Sequence, residues 1–112
     1  MTTFIFPNAK PLPKAKTIAE MTEQEKAQKA YNCCIHHDRN WMYSDDVRGI
    51  AEEEARDNMK YFVELINALQ DVNLRFALKD LWMDMIYSTP QYKVKKQEMQ
   101  VRINNMAINI AA

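Results

Sequence analysis

The sequence predicts an all-α fold, a small three- to four-helix bundle behind an extended, proline-containing N-terminal arm, and three observations carry that expectation. Only one glycine occurs in 112 residues and three of the four prolines fall before residue 14, so turn chemistry is nearly absent from the rest of the chain. Apolar residues recur at three- and four-residue spacing in four stretches after residue 17. Between these stretches stand helix-starting residues, threonine or serine with carboxylates or a proline just beyond. A chain of this length buries roughly two-thirds of its unfolded surface in one domain, enough for a core without staples.

The arm, residues 1–16, joins the apolar triplet Phe4-Ile5-Phe6 to Pro7, Pro11 and Pro13 and to Lys10, Lys14 and Lys16. Proline fixes φ and removes a backbone donor, so an extended segment is expected. The triplet is too short to build a core, which points it toward recognition.

The first helix is expected over about 18–37, opened by one of two overlapping capping boxes, Thr17 with Glu20 or Thr22 with Glu25. Ala27, Ala30, Tyr31, Cys34 and Trp41 keep helical spacing, with Asp38 to Tyr43 as the connection. The second helix, about 45–70, starts at Ser44, whose hydroxyl caps it while Asp45 and Asp46 meet the positive end of the helix dipole. Steps of 100° gather Val47, Ala51, Ala55, Met59, Phe62, Leu65, Ile66 and Leu69 on one side and leave Glu52, Glu53, Arg56, Lys60 and Glu64 outside. Gly49 weakens the first turn by about 1 kcal/mol relative to alanine.

The third helix, about 72–87, has eleven apolar residues in sixteen and two apolar faces. Leu74, Leu78, Leu81 and Met85 form one, and Val72, Phe76, Met83 and Tyr87 the other, with Asn73, Asp80 and Asp84 along one edge and Arg75 and Lys79 along the opposite edge. Thr89 as cap and Pro90 at the first helical position predict a fourth helix over about 90–110. Its main seam is Tyr92, Lys96, Met99, Ile103, Met106 and Ile110, in alternating steps of four and three, and a thinner stripe of Val94, Val101 and Ile108 runs opposite.

Fifteen basic residues balance fifteen acidic ones, so no global field holds a nucleic-acid backbone or an anionic membrane. Nucleic acid is not the expected partner. The opening MTTFIFPNAKPLP has no basic residue before its short apolar run and a proline directly after it, which is not the pattern of a secretory signal. No run approaches the roughly 20 apolar residues that cross a bilayer. Cys33 and Cys34 are sequence neighbours, unlike the separated sites that an ordinary disulfide joins, and reduced thiols fit a cytoplasmic address.

Candidate chemistry is sparse. Cys33, Cys34, His36, His37 and Asp38 offer ligand pairs one turn apart, but no second pair completes a metal site, and a cysteine nucleophile has no oxyanion-hole loop to work with. Lys93, Lys95, Lys96 and Arg102 make the first half of the fourth helix basic, which reads as a solvated flank without a glycine-rich phosphate loop or an aromatic RNA-binding motif beside it. Glu20 with Glu23, and Glu54 with Asp57, are carboxylate pairs one turn apart on different helices, a spacing suited to Mg²⁺. At these four positions the chain resembles the all-α nucleotide pyrophosphohydrolases, a likeness that implies a metal-activated water held by Glu20, Glu23, Glu54 and Asp57. This is the alternative reading.

The leading expectation rests on the double-faced helices, because a unit of this size has room for about one fully surrounded helix. Two such helices call for a further interface. A non-enzymatic protein-binding module is therefore expected, without cofactor or metal, engaging and modulating a protein partner or a second copy through Val72, Phe76, Met83, Tyr87, Val94, Val101 and Ile108, with Phe4, Ile5 and Phe6 contributing. Small inhibitors and adaptors of viruses and mobile elements have this character.

Overall fold

The computed structural model describes residues 16–41 and 48–111, with side chains described for 16–39 and 53–106. A single 3-10 turn, Ile18–Glu20, precedes four α-helices: α1 (Glu23–Trp41), α2 (Arg48–Asn67), α3 (Val72–Ile86) and α4 (Tyr92–Ala111). Among the described residues there is no strand, and the helices form a small bundle. The arm and the Ser44-Asp45-Asp46 start signal lie outside the described residues.

Of the two capping boxes, the second opens α1. Thr22 Oγ1 accepts from the Glu25 N–H at 3.1 Å, and the Thr22 N–H donates to Glu25 Oε1 at 3.3 Å. These bonds satisfy two free backbone donors reciprocally. Thr17 instead donates its hydroxyl to the Glu20 carboxylate at 2.9 Å and closes only the 3-10 turn. At its other end α1 runs through Asp38 to Trp41, beyond the expected stop at residue 37, because no glycine or proline interrupts it there and Arg39 suits the negative end of the helix.

The second helix ends at Asn67, three residues short of the expectation, and α1 supplies the cause. The Glu23 carboxylate accepts from the Gln70 N–H at 2.9 Å and the Asp71 N–H at 3.2 Å, while Lys26 Nζ donates to the Ala68 carbonyl at 3.0 Å. The backbone is drawn out of α2 and into the turn. Asp71 then caps α3, its Oδ1 accepting from the Asn73 and Leu74 N–H groups at 2.9 and 3.2 Å.

At the end of α3 the Thr89 N–H bonds back to the Asp84 carbonyl at 3.0 Å and the Ser88 N–H to the Met85 carbonyl at 3.2 Å. This is the bonding pattern of a Schellman closure, with Ser88 in the left-handed position at φ 51. Thr89 therefore finishes α3 and does not cap α4 at Pro90. The Tyr92 N–H reaches the Thr89 carbonyl at 3.2 Å across one more turn, and α4 begins at Tyr92.

Both α1 and α3 pack against all three other helices, and α2 and α4 each lie against that pair. The inward residues of α1 are small: Ala27, Ala30, Cys33 and Cys34. Facing them are larger side chains, Phe62, Leu65, Ile66 and Leu69 from α2, Leu74, Leu78, Leu81, Trp82 and Met85 from α3, and Met99 and Ile103 from α4. Phe62 stacks on Trp82 with ring centroids 4.5 Å apart. Each fully buried leucine contributes roughly 1.5–3 kcal/mol by leaving water.

A polar seam fixes how α1 and α4 meet. Gln28 and Gln100 exchange amide hydrogen bonds at 3.2 and 2.8 Å, and Gln24 Nε2 donates to the Ile103 carbonyl at 3.0 Å. The pairing descends on α4 as it ascends on α1, so the two helices are antiparallel. A slip of register would leave part-buried amides unpaired.

Ser88 carries a Cβ where the closure favours glycine. The left-handed conformation costs an L-residue roughly 1–2 kcal/mol, against which glycine loses about 0.5–1 kcal/mol more backbone entropy on folding. Ser88→Gly is therefore expected to stabilise the protein by about 0.5–1 kcal/mol, read by calorimetry as a rise in Tm of about 4 °C.

Candidate functional site

The two faces of α3 have different fates. Leu74, Leu78, Leu81 and Met85 are buried, together with Trp82. On the opposite side Val72, Phe76, Met83 and Tyr87 keep 44 to 70 % of their surface exposed, and Ile86 beside them keeps 47 %. At 1.5 Å per residue the stripe is about 22 Å long. Its borders are engaged with neighbours: Asp84 pairs with Lys95 at 2.6 Å, and Arg75 Nη2 donates to the Leu69 carbonyl at 2.6 Å. The Lys95 ammonium holds the Asp84 carboxyl below its usual range. Charge thus frames the stripe without covering it.

On α4 the main seam packs as expected, with Met99 and Ile103 buried and Tyr92 and Met106 resting against the core. Val94 and Val101 are exposed on the other side, whereas Ile108 lies outside the described side chains. Met59 is a correction: it was expected on the inner face of α2 and is 44 % exposed. On the wheel it falls about 20° beyond Ile66, at the edge of the buried arc. Val63, a further step round, is exposed as well.

Among the described residues, seven of the nine exposed large apolar side chains (Met59, Val63, Val72, Phe76, Met83, Ile86 and Tyr87) therefore belong to the α2–α3 hairpin. The exposure of Met59, Val63 and Ile86 was not anticipated. Ile86 had a readable signal, standing three residues after Met83 on the same side of the helix. Phe4, Ile5 and Phe6 fall outside the described residues.

The carboxylates of the hydrolase reading are not gathered. Glu20 is held by Thr17, Glu23 uses both oxygens on the turn after α2, and Glu54 and Asp57 are exposed on α2. Among the described residues no three His, Cys, Asp or Glu side chains come together as a metal would require.

The Cys-His cluster is also divided by the helix that carries it. Cys33 and Cys34 are buried free thiols. Burial pushes Cys33 up to about 11 and Cys34 up to about 12, so both are neutral and poor nucleophiles at pH 7. The Tyr92 hydroxyl lies beside the Cys34 thiol, short of ideal hydrogen-bond geometry. The His37 ring sits 4.8 Å from Trp82, and burial lowers its pKa, whereas His36 is exposed.

The basic half of α4 is likewise shared out. Lys95 pairs with Asp84, Arg102 lies 3.8 Å from Asp71, and Lys96 Nζ stands 5.3 Å from the centre of the Tyr92 ring. Lys96 also closes one side of a groove of about 480 Å³ between α1 and α4, whose other walls are Tyr31, Asn32, Ile35, His36 and Arg39.

The chain matches no known protein family, no curated protein and no solved structure. No helix among the described residues is long and apolar enough to cross a membrane.

Two outcomes test these assignments. Glu23→Ala removes the acceptor for two backbone N–H groups and is expected to cost about 1–2 kcal/mol in urea unfolding, a loss that Glu54→Ala, on the open face of α2, does not produce. The buried thiols set a pH dependence. Because their folded pKa values lie above the ordinary 9.0, the stability they contribute is complete below pH 9 and is lost as pH rises through about 11 and about 12. Cys33→Ala with Cys34→Ala should flatten the decline of the urea midpoint above pH 9.

Proposed function

We propose that the protein is a non-enzymatic binding module that engages a protein partner, or a second copy of itself, through the outer face of α3 and modulates what it binds. The observation that carries this reading is the exposure of Val72, Phe76, Met83 and Tyr87 along one side of a helix whose other side is already in the core. Apolar surface left in water forgoes roughly 25 cal/mol per Å² that an interface would recover. Val94 and Val101 on α4 extend the apolar surface, and Ile108 and the arm residues Phe4, Ile5 and Phe6 join the reading by composition.

Balanced charge favours a protein over a nucleic acid as the occupant. Two neutral, buried thiols suit a reducing, cytoplasmic setting. Inhibition of the partner, as small viral and mobile-element proteins achieve it, is the simplest form of modulation, since a rigid helix laid over a working surface blocks it.

The double variant Phe76→Asp with Met83→Lys tests the proposal. Both side chains face water in the isolated chain, so circular dichroism and thermal unfolding should stay close to the wild type. A charge placed within an associating face should abolish self-association in light scattering, or capture of the partner from the native host. Unfolding of the variant would make the residues core, and unchanged association would remove the stripe from the binding surface.

A further inference from the structure

The exposed stripe of α3 carries opposite charges on its two flanks, level with its midpoint. Val72, Phe76, Met83 and Tyr87 span about 60° of the helix circumference, and Lys79 and Asp80 stand about 50° to either side of their common midline. Both charged side chains are exposed. Sequence neighbours on a helix do not face each other, so this lysine and this aspartate cannot pair within one chain. Farther from the midline, Asp84 on the acidic flank is taken up by Lys95, and Arg75 on the basic flank donates to the Leu69 carbonyl. Lys79 and Asp80 are thus the charges nearest the apolar seam.

A second copy of the chain fits this pattern, and the charges select how it lies. A homodimer closes on a two-fold axis that presents the same patch from both sides. With the axis along the helix, two α3 stripes meet in parallel and the basic flank of each lies on the acidic flank of the other, so Lys79 meets Asp80 of the second copy twice over. With the axis across the helix the stripes meet antiparallel and like flanks coincide. Lys79 then meets Lys79, and Asp80 meets Asp80, at the centre of the contact. Opposite charges fix register and like charges oppose it, which favours the parallel pair. A face about 22 Å long is small against the roughly 800 Å² that each partner of a stable dimer buries, so Ile86 and, from α2, Met59 and Val63 widen the contact and the dimer is a weak one.

We propose that the stripe binds a second copy of this chain, α3 against α3 in parallel, with Lys79 of each copy on Asp80 of the other. The inference rests on the reading of the stripe as a binding face and adds to it the occupant and the orientation. The apolar side chains supply the attraction, and the two flanking charges choose the direction.

The test is sedimentation equilibrium of the full chain from micromolar to millimolar concentration, where a monomer–dimer equilibrium is expected. Lys79→Glu makes both flanks acidic and Asp80→Lys makes both basic, so each variant alone should dimerise about tenfold more weakly, and an equimolar mixture of the two should recover the wild-type strength. Both side chains face water, so circular dichroism should stay unchanged. Val72→Cys and, separately, Tyr87→Cys should each give a covalent dimer on mild oxidation, because a parallel pair in register sets each residue beside its own counterpart; the native Cys33 and Cys34 thiols are buried and do not compete. Cross-links that form only in a mixture of the two cysteine variants overturn the proposal, and so does a wild type that stays monomeric at millimolar concentration. Either result leaves the stripe standing as a face for another protein. A dimer indifferent to the charge variants overturns the proposal as well, and if it also survives Phe76→Asp with Met83→Lys, the reading of the stripe as a binding face falls with it.

Discussion

The smallness of one helix face is the constraint on which the rest of the bundle depends. Ala27, Ala30, Cys33 and Cys34 are the inward residues of α1, and only small side chains let that helix pack against α2, α3 and α4 together. Interiors are packed as densely as organic crystals, so a larger residue here would force the neighbouring helices apart. The bulk of the core is supplied instead by the surrounding leucines, Phe62 and Trp82. The same closeness desolvates the two thiols, which is why they are inert.

Around that packing, the first turn of α1 governs the chain some forty residues later. Glu23 and Lys26 take up backbone groups of the turn between α2 and α3, and that turn sets Asp71 as the cap of α3. The order of events in the sequence is thus reversed in space. A long-range carboxylate decides where α2 stops, and a local carboxylate decides where α3 begins.

Much of this was legible where the signal is local and periodic. The Thr22-Glu25 box, the division of α3 into two apolar faces, and the Met99-Ile103 seam all depend on residues within a turn or two of each other, and each appears in the fold. The errors share a cause. The end of α2 depends on Glu23, the failure of Thr89 to cap α4 depends on its use by Asp84, and the exposure of Met59 depends on where the buried arc of α2 stops, at Ile66. None of these is written in the local sequence. The α1–α4 groove was hidden for the same reason, since its walls come from two helices distant in sequence that only the packed fold sets side by side. The α3 stripe of the candidate site was readable from the helical wheel, while the exposure of Val63 and Met59 required the packing.

The construction of α3 bears on what its outer face can do. Asp71 satisfies two N–H groups at its start, the Schellman closure satisfies carbonyls at its end, and five buried side chains anchor its inner face. Such a helix has both ends and its inner face satisfied before anything binds. A partner meeting Phe76 and Met83 therefore has only side-chain rotamers to order, and the entropic cost of association falls accordingly. Because the core residues lie on the opposite side of the helix, the outer residues can change with the partner without disturbing the fold. That separation of stabilising and exposed faces on one short helix is the physical ground on which the proposed role of α3 in recognition rests.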